Sequence, residues 1–231
     1  MAQELSTAMQ DYLKVLCSEA EWSHTPMTTT GLATRMNVAP SSVSEMMRRL
    51  SAQGLVYHRP YEAIQLTDEG RRLGLAMMRR HRIIETYLVE ELGYTWDEVH
   101  DEAEVLEHAI SDLMLARIDA KLGFPTRDPH GDPIPREDGT VHMPDAVNLS
   151  ELQVGESGVI ARISDSDPDL LRHLEELNFA LDDVITVVEK SPFTGGTTIE
   201  HSSAHANAGR APRSSVLGDV VLHSVWVVRN S

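Results

Sequence analysis

Residues Thr28–Thr67 read TTTGLATRMNVAPSSVSEMMRRLSAQGLVYHRPYEAIQLT, and this stretch decides the fold. Thr28 to Met36 has the composition of a short helix with a threonine cap, followed by a turn at Asn37-Val38. Pro40 suits the first turn of a second helix, where its missing N–H costs nothing. Ser42 and Glu45 stand at capping-box spacing. That helix is expected to run to Gln53 and to end at Gly54. Leu55–His58 and Ala63–Leu66 then read as two strands around a turn at Arg59–Glu62. Two short helices followed by a hairpin make a winged helix-turn-helix.

In that arrangement the second helix enters the major groove, so the residues at its start reach base edges and flanking cations grip phosphate. Here these are Ala39, Pro40, Ser41, Ser42, Ser44 and Glu45, with Arg48 and Arg49 as phosphate contacts and the wing residue Arg59 against the adjacent backbone or minor groove. The serine hydroxyls donate and accept, Ala39 and Pro40 can touch a thymine methyl, and Glu45 can accept from cytosine N4. Taken alone, the formal net charge of −16 over 231 residues argues against a nucleic-acid partner. Between Arg35 and Arg72, however, six arginines face four carboxylates, so the acid is concentrated elsewhere. An acidic body behind a slightly basic reading head suggests carboxylates that hold cations.

Upstream, Leu5 to Glu21 has helical apolar spacing. Downstream, Thr67 to about Leu92 reads as a long helix capped by Thr67, and Asp97 to Lys121 as another carrying an apolar stripe suited to core or dimer contact. Met27, Met46, Met47, Met77, Met78 and Met114 read as core filler. Residues 128–147, rich in proline and glycine, read as a linker. Beyond it the period changes to that of strands: Gly158–Ile163, Val184–Glu189, Thr197–His201 and Val225–Arg229, with a helix from Pro168 behind an Asp167 cap, imply a small β-barrel. The lone cysteine, Cys17, excludes a disulfide framework and a cysteine zinc cluster. With no signal-like start and no apolar run of about eighteen residues, the expectation is a cytoplasmic protein without a membrane partner.

The most informative chemistry lies in His100-Asp101-Glu102-Ala103-Glu104-Val105-Leu106-Glu107-His108. On a helix, Glu104, Glu107 and His108 fall at i, i+3 and i+4 and project from one face toward one cation. His81 and Glu85 form a second i, i+4 pair, and Asp11 adds a carboxylate on the first helix. No HExxH motif, catalytic carboxylate pair or phosphate-cradling loop accompanies them, so the chain is not expected to be an enzyme. A metallohydrolase and a metal-independent winged-helix regulator remain the rival classes.

The order of winged helix, "RRHRIIE", "VHDEAEVLEH", a linker containing "GDPIP" and a small β-domain resembles the diphtheria toxin repressor family of metal-dependent repressors. Its manganese transport regulators are the most similar. The resemblance implies a helical, multidomain α+β chain: a winged-helix domain over 1–72, a helical metal-binding and dimerisation domain over 73–127, the linker over 128–147 and an SH3-like, FeoA-like barrel over 148–231. It implies a homodimer on operator double-stranded DNA that represses metal-uptake genes. Residue by residue it puts the activating site on Asp11, Glu104, Glu107 and His108, an ancillary site on His81, Glu85 and His100, and a barrel ligand at Asp165. Iron-responsive members carry methionine and cysteine where this sequence has Asp11 and Glu104. Hard oxygen donors favour Mn²⁺ over Fe²⁺, with Co²⁺ and Zn²⁺ able to bind in vitro, and iron is the alternative cofactor. Lys14 stands where some binuclear manganese regulators have glutamate, so two separated sites are expected rather than a close pair.

Overall fold

A computed structural model describes residues 5–22, 25–59, 62–191, 196–203 and 213–230. The chain divides into two compact units, one of Met1–Ile84, Val105–Lys121 and Ile134–Val141, the other of Glu85–Glu104, Leu122–Pro133 and His142–Ser231.

In the first unit, α1 (Thr7–Trp22), α2 (Thr29–Arg35), α3 (Pro40–Ala52), β1 (Val56–Tyr57) and β2 (Gln65–Leu66) form the winged helix. Thr28 caps α2 by accepting from the Gly31 amide, and β1 pairs antiparallel with β2. Pro60 and Tyr61, in the wing turn, lie outside the described residues. The capping box expected at Ser42 and Glu45 does not form. Ala39 is the N-cap of α3 with Pro40 in the first turn, and the Glu45 carboxylate turns instead to Arg48 and Arg49. Met9, Tyr12, Leu13 and Leu16 of α1 share one core with Val43, Met47 and Leu50 of α3. The reading helix is therefore held by the packing of the first helix.

The long helix α4 (Asp68–Leu92) is capped by Thr67, whose hydroxyl accepts from the Gly70 amide. It crosses α1 at Gly74, where an added Cβ would lie 2.5 Å from Cys17 Sγ and 2.6 Å from the Leu13 carbonyl oxygen. Only hydrogen fits at this crossing, which sets α1 against α4. Cys17 itself is buried, and burial pushes its thiol up to about 12, leaving it without a reactive thiolate.

The expected single helix from Asp97 to Lys121 is two: α5 (Val99–Leu106) and α6 (Asp112–Lys121). Arg80 of α4 explains the break. Its guanidinium donates to the Glu107 carbonyl oxygen at 3.0 Å, to that of Ile110, and to the Asp112 carboxylate at 2.5 Å, taking up carbonyls that a continuous helix would use. Ser111 caps the new helix by accepting from the Met114 amide. Met47, Met77 and Met78 are buried, whereas Met114 is 50% exposed and is not core filler.

The second unit contains a six-stranded antiparallel sheet. Its strands are β3 (Ala146–Asn148), β4 (Ser157–Ile163), β5 (Val184–Lys190), β6 (Thr197–Ser202), β7 (Arg213–Leu217) and β8 (Val225–Arg229), in the order β3-β8-β4-β5-β6-β7. The two outermost strands, β3 and β7, escaped the sequence reading. The helix α7 (Pro168–Glu176) starts at the Asp167 cap as expected, and α8 (Asp219–His223) precedes β8. Leu149, Ile160, Ile163, Leu171, Leu174, Ile185, Val187, Ile199 and Val227 form the core. His201 joins it, with Nδ1 buried and without a hydrogen-bond partner, its ring 4.7 Å from that of Phe179.

Burial lowers the pKa of His201 below the usual 6.5, with Arg213 adding to the effect and Asp183 opposing it. The folded state thus disfavours the imidazolium, so this residue's contribution is complete above about pH 6.5 and is lost as pH falls below that value. Unfolding of the sheet, followed by Trp226 fluorescence in denaturant, should weaken on acidification through pH 6.5 to 5. His201→Phe should flatten that part of the profile; an unchanged profile would exclude His201 as its source.

Candidate metal centres and nucleic-acid interface

All nine residues expected to face DNA (Ala39, Pro40, Ser41, Ser42, Ser44, Glu45, Arg48, Arg49 and Arg59) are exposed, while Val43, Met47 and Leu50 turn inward. The helix thus offers one polar face and one core face, as a groove-reading helix must. Ser44 Oγ donates to the Pro40 carbonyl at 3.0 Å, and Glu45 pairs with Arg48 and, at 3.2 Å, with Arg49. If Arg49 neutralises one phosphate, Arg49→Ala should reduce the slope of log K against log salt by about 1. An unaltered slope in anisotropy titrations at several salt concentrations would remove Arg49 from the interface.

In the first unit, Asp11, Glu107 and His108 each present a ligand atom, all within 4.8 Å of one another. His108 Nε2 lies 2.7 Å from Asp11 Oδ1 and 3.4 Å from Glu107 Oε1. Asp11 comes from α1, whereas Glu107 and His108 sit in the turn that Arg80 holds open after α5. One imidazole nitrogen facing two carboxylates calls for a positive charge between them, and one nitrogen with two oxygens is a donor set that a divalent cation satisfies. Glu107 is fully buried, and its oxygens are already engaged: Oε1 accepts from Lys14 Nζ at 2.7 Å, and Oε2 lies 2.5 Å from His81 Nδ1. Lys14 Nζ is also 3.4 Å from that His81 nitrogen. His81 therefore joins Lys14 and Glu107.

In the second unit, Glu85, His100 and Asp165 come together, with His100 Nδ1 3.4 Å from Glu85 Oε1 and 3.6 Å from Asp165 Oδ2. Glu104 belongs to this unit, where its Oε1 is 3.7 Å from His100 Nε2. Two residues the sequence reading missed also converge on Glu85: Asp128 and His130, all three buried and with ligand atoms within 4.8 Å. The segment that carries them has no helix or strand, yet it is packed. Gly131 has φ +94°, and a Cβ there would lie 2.1 Å from the Ala161 carbonyl oxygen. Ile163 donates its amide to the His130 carbonyl, and Arg162 Nε donates to Asp132 Oδ1 at 2.8 Å while stacking 4.4 Å over the Trp226 ring. Asp128 Oδ1 accepts from the amides of His130 and Asp132, which closes the turn.

His130 Nε2 lies 3.1 Å from the Trp96 carbonyl oxygen and must donate to it, so Nδ1 keeps its lone pair. That Nδ1 is buried and without a hydrogen-bond partner. A buried lone pair beside carboxylates is a ligand in waiting, and the oxygen-rich set again suits a hard divalent cation. Burial raises the Asp165 carboxyl, and positive charge on its neighbours, His130 and His100 when their rings are protonated together with Arg162, lowers it below the usual aspartate value against the charge of Glu85.

Comparison with known proteins agrees with this architecture. The N-terminal DNA-binding domain of the iron dependent repressors matches residues 4–64, their metal binding and dimerisation domain residues 67–136, and the FeoA domain residues 147–207. The iron-dependent repressor IdeR of Mycobacterium tuberculosis (strain ATCC 25618 / H37Rv) is 32% identical over 224 residues, covering 88% of this chain and 96% of that protein. Among solved structures, a manganese-dependent transcriptional repressor in complex with manganese superposes with a TM-score of 0.89 at 50% identity, covering 96% of this chain and 100% of the other. ScaR with bound Cd²⁺ superposes at 0.78 and 31% identity, covering 96% and 99%. A winged reading head, clustered carboxylate and imidazole donors and a FeoA sheet, in that order, show that the chain belongs to the iron-dependent, or diphtheria toxin, repressor family of metal-dependent transcriptional repressors.

Proposed function

We propose that this chain is a cytoplasmic, manganese-activated repressor of metal-uptake genes that binds operator DNA as a homodimer. The observation that carries the proposal is His108 Nε2 facing both its neighbour Glu107 and, from the first helix, Asp11. Asp11, Glu107 and His108 would hold a divalent cation there, which would supply the positive charge that two carboxylates and an imidazole nitrogen call for. Asp11 is next to Tyr12 and Leu13, which pack in the same core as Met47 and Leu50 of the reading helix. Fixing α1 at Asp11 thus fixes α3, and the DNA-competent form becomes the populated one.

Glu85, Asp128, His130 and Asp165, with His100 beside them, are proposed as a second, separate site that anchors the 128–133 segment to the sheet. Both donor sets lack sulfur, which supports manganese; the iron-dependent relative supports iron as the second reading. Leu113 at 66%, Met114 at 50% and Val105 at 68% exposure are large apolar side chains left open on α5 and α6, which supports a dimer contact there. Among the described residues no helix is long and apolar enough to cross a membrane.

The test is to select duplexes from a random pool with the manganese-loaded protein, then measure their affinity with chelator and with Mn²⁺, Fe²⁺, Co²⁺ and Zn²⁺. Equal affinity in chelator refutes the proposal, and tighter activation by Fe²⁺ than by Mn²⁺ reassigns the metal. His130→Ala should bind one Mn²⁺ fewer per chain in equilibrium dialysis while keeping the site at Asp11. Retention of full stoichiometry would show that His130 is no ligand.

A further inference from the structure

Both nitrogens of the His108 imidazole are engaged by adjacent residues of one helix. Gln10 Oε1 lies 2.9 Å from Nδ1, and Asp11 Oδ1 lies 2.7 Å from Nε2. An amide oxygen carries lone pairs and no proton, so the hydrogen of this contact belongs to Nδ1. Nε2 faces both carboxylates, and with the Nδ1 hydrogen committed to Gln10 it is the nitrogen whose proton a cation would replace.

We propose that Gln10 is a positioning residue of the first metal centre: its side-chain oxygen fixes the tautomer and ring plane of His108, so that Nε2 and not Nδ1 is offered to the cation. The proposal rests on reading Asp11, Glu107 and His108 as ligands. The two neutral tautomers of a histidine lie close in free energy, so an unheld ring spends much of its time with the wrong nitrogen protonated or the ring turned away. Partners outside the ligand set that remove this freedom are worth about 10–100-fold in metal affinity. The choice of an amide also follows from the local charge. Asp11 and Glu107 carry two negative charges and Lys14 one positive, so Gln10 supplies an acceptor without adding a third carboxylate. The same bond ties α1 to the turn after α5 through neutral groups, which holds Asp11 near its place before any cation arrives.

Zn²⁺, which is diamagnetic, allows the ring to be read directly by long-range ¹H–¹⁵N correlation spectra of the full chain. The wild type should show a His108 Nδ1–H that exchanges slowly with water and an Nε2 shifted by metal. Gln10→Leu should lose the slow-exchanging Nδ1–H and bind Mn²⁺ at this centre about tenfold or more weakly, measured by the electron paramagnetic resonance of free Mn²⁺. Gln10→Glu, which keeps an acceptor at the same reach, should restore the Nδ1–H signal and most of the affinity. Gln10→Asn, polar but too short to reach, should behave like Gln10→Leu and replaces it if the leucine variant does not fold. Wild-type signal and affinity in Gln10→Leu or Gln10→Asn, or no rescue by Gln10→Glu, overturn the proposal. Asp11→Ala separates the two layers. If it binds Mn²⁺ at this centre as the wild type does, the ligand assignment fails and takes Gln10 with it; if it loses the metal while Gln10→Leu keeps it, Gln10 alone is wrong.

Discussion

Asp11→Ala should abolish metal-dependent operator binding while leaving a folded protein. Asp11 is partly exposed on α1 and supplies one of three clustered donors, so its loss creates little cavity but leaves the cation no hold on the first helix. Moving a regulator from 1:99 to 99:1 in favour of its DNA-competent form requires a differential binding free energy of about 5.5 kcal/mol. A cation without its α1 ligand has no such preference, so saturating Mn²⁺ should leave the variant as weak on DNA as the chelated wild type. Anisotropy of a labelled operator duplex checks this, with circular dichroism as the control for folding. Mn²⁺-stimulated binding by the variant, equal to that of the wild type, would refute the coupling through α1. Asp11 is a cleaner probe than Glu107, because Glu107 is also the buried partner of Lys14 and His81.

Lys14→Glu should have the opposite kind of effect, adding a metal ion while weakening the metal-free protein. Lys14 is only 6% exposed, and its ammonium sits 2.7 Å from Glu107 and 3.4 Å from His81. It serves there as a resident monovalent cation. Removing one partner of a buried ion pair costs about 3–5 kcal/mol, and a second carboxylate beside Glu107 adds repulsion. The metal-free variant should therefore lose at least that much unfolding free energy in urea. The introduced carboxylate, His81 and Glu107 would then offer a new cation a place, so bound Mn²⁺ should rise by one per chain and restore much of the lost stability. Unchanged stoichiometry together with unchanged stability would show that the ammonium has no such role.

The winged helix was legible because each of its parts is specified locally: a threonine cap, a proline at a helix start, a glycine at its end and alternating strands. The ligand types in Asp11, Glu107, His108, Glu85, His100 and Asp165 were legible by spacing and resemblance. Which of them meet was not, because that depends on partners far along the chain. The break after Glu107 is set by Arg80, and the apolar spacing of Leu106 and Ile110 runs through it undisturbed. Asp128 and His130 were hidden by the prolines and Gly131 around them. That composition rules out a helix or strand but says nothing of burial, which here comes from the Gly131 approach to Ala161 and the Arg162–Asp132 pair. The strands β3 and β7 lie at the sheet's ends, where half-exposed polar residues blur the alternation.

Glu45, set between Arg48 and Arg49 on the outward side of α3, has a kinetic consequence for a protein that must find one site on a chromosome. With α3 in the groove as proposed, the two exposed pairs would hold the guanidiniums back from arbitrary duplex by no more than about 1 kcal/mol. Base edges that take over the carboxylate would free both arginines for the phosphates, a small bias against lingering on mismatched sequence.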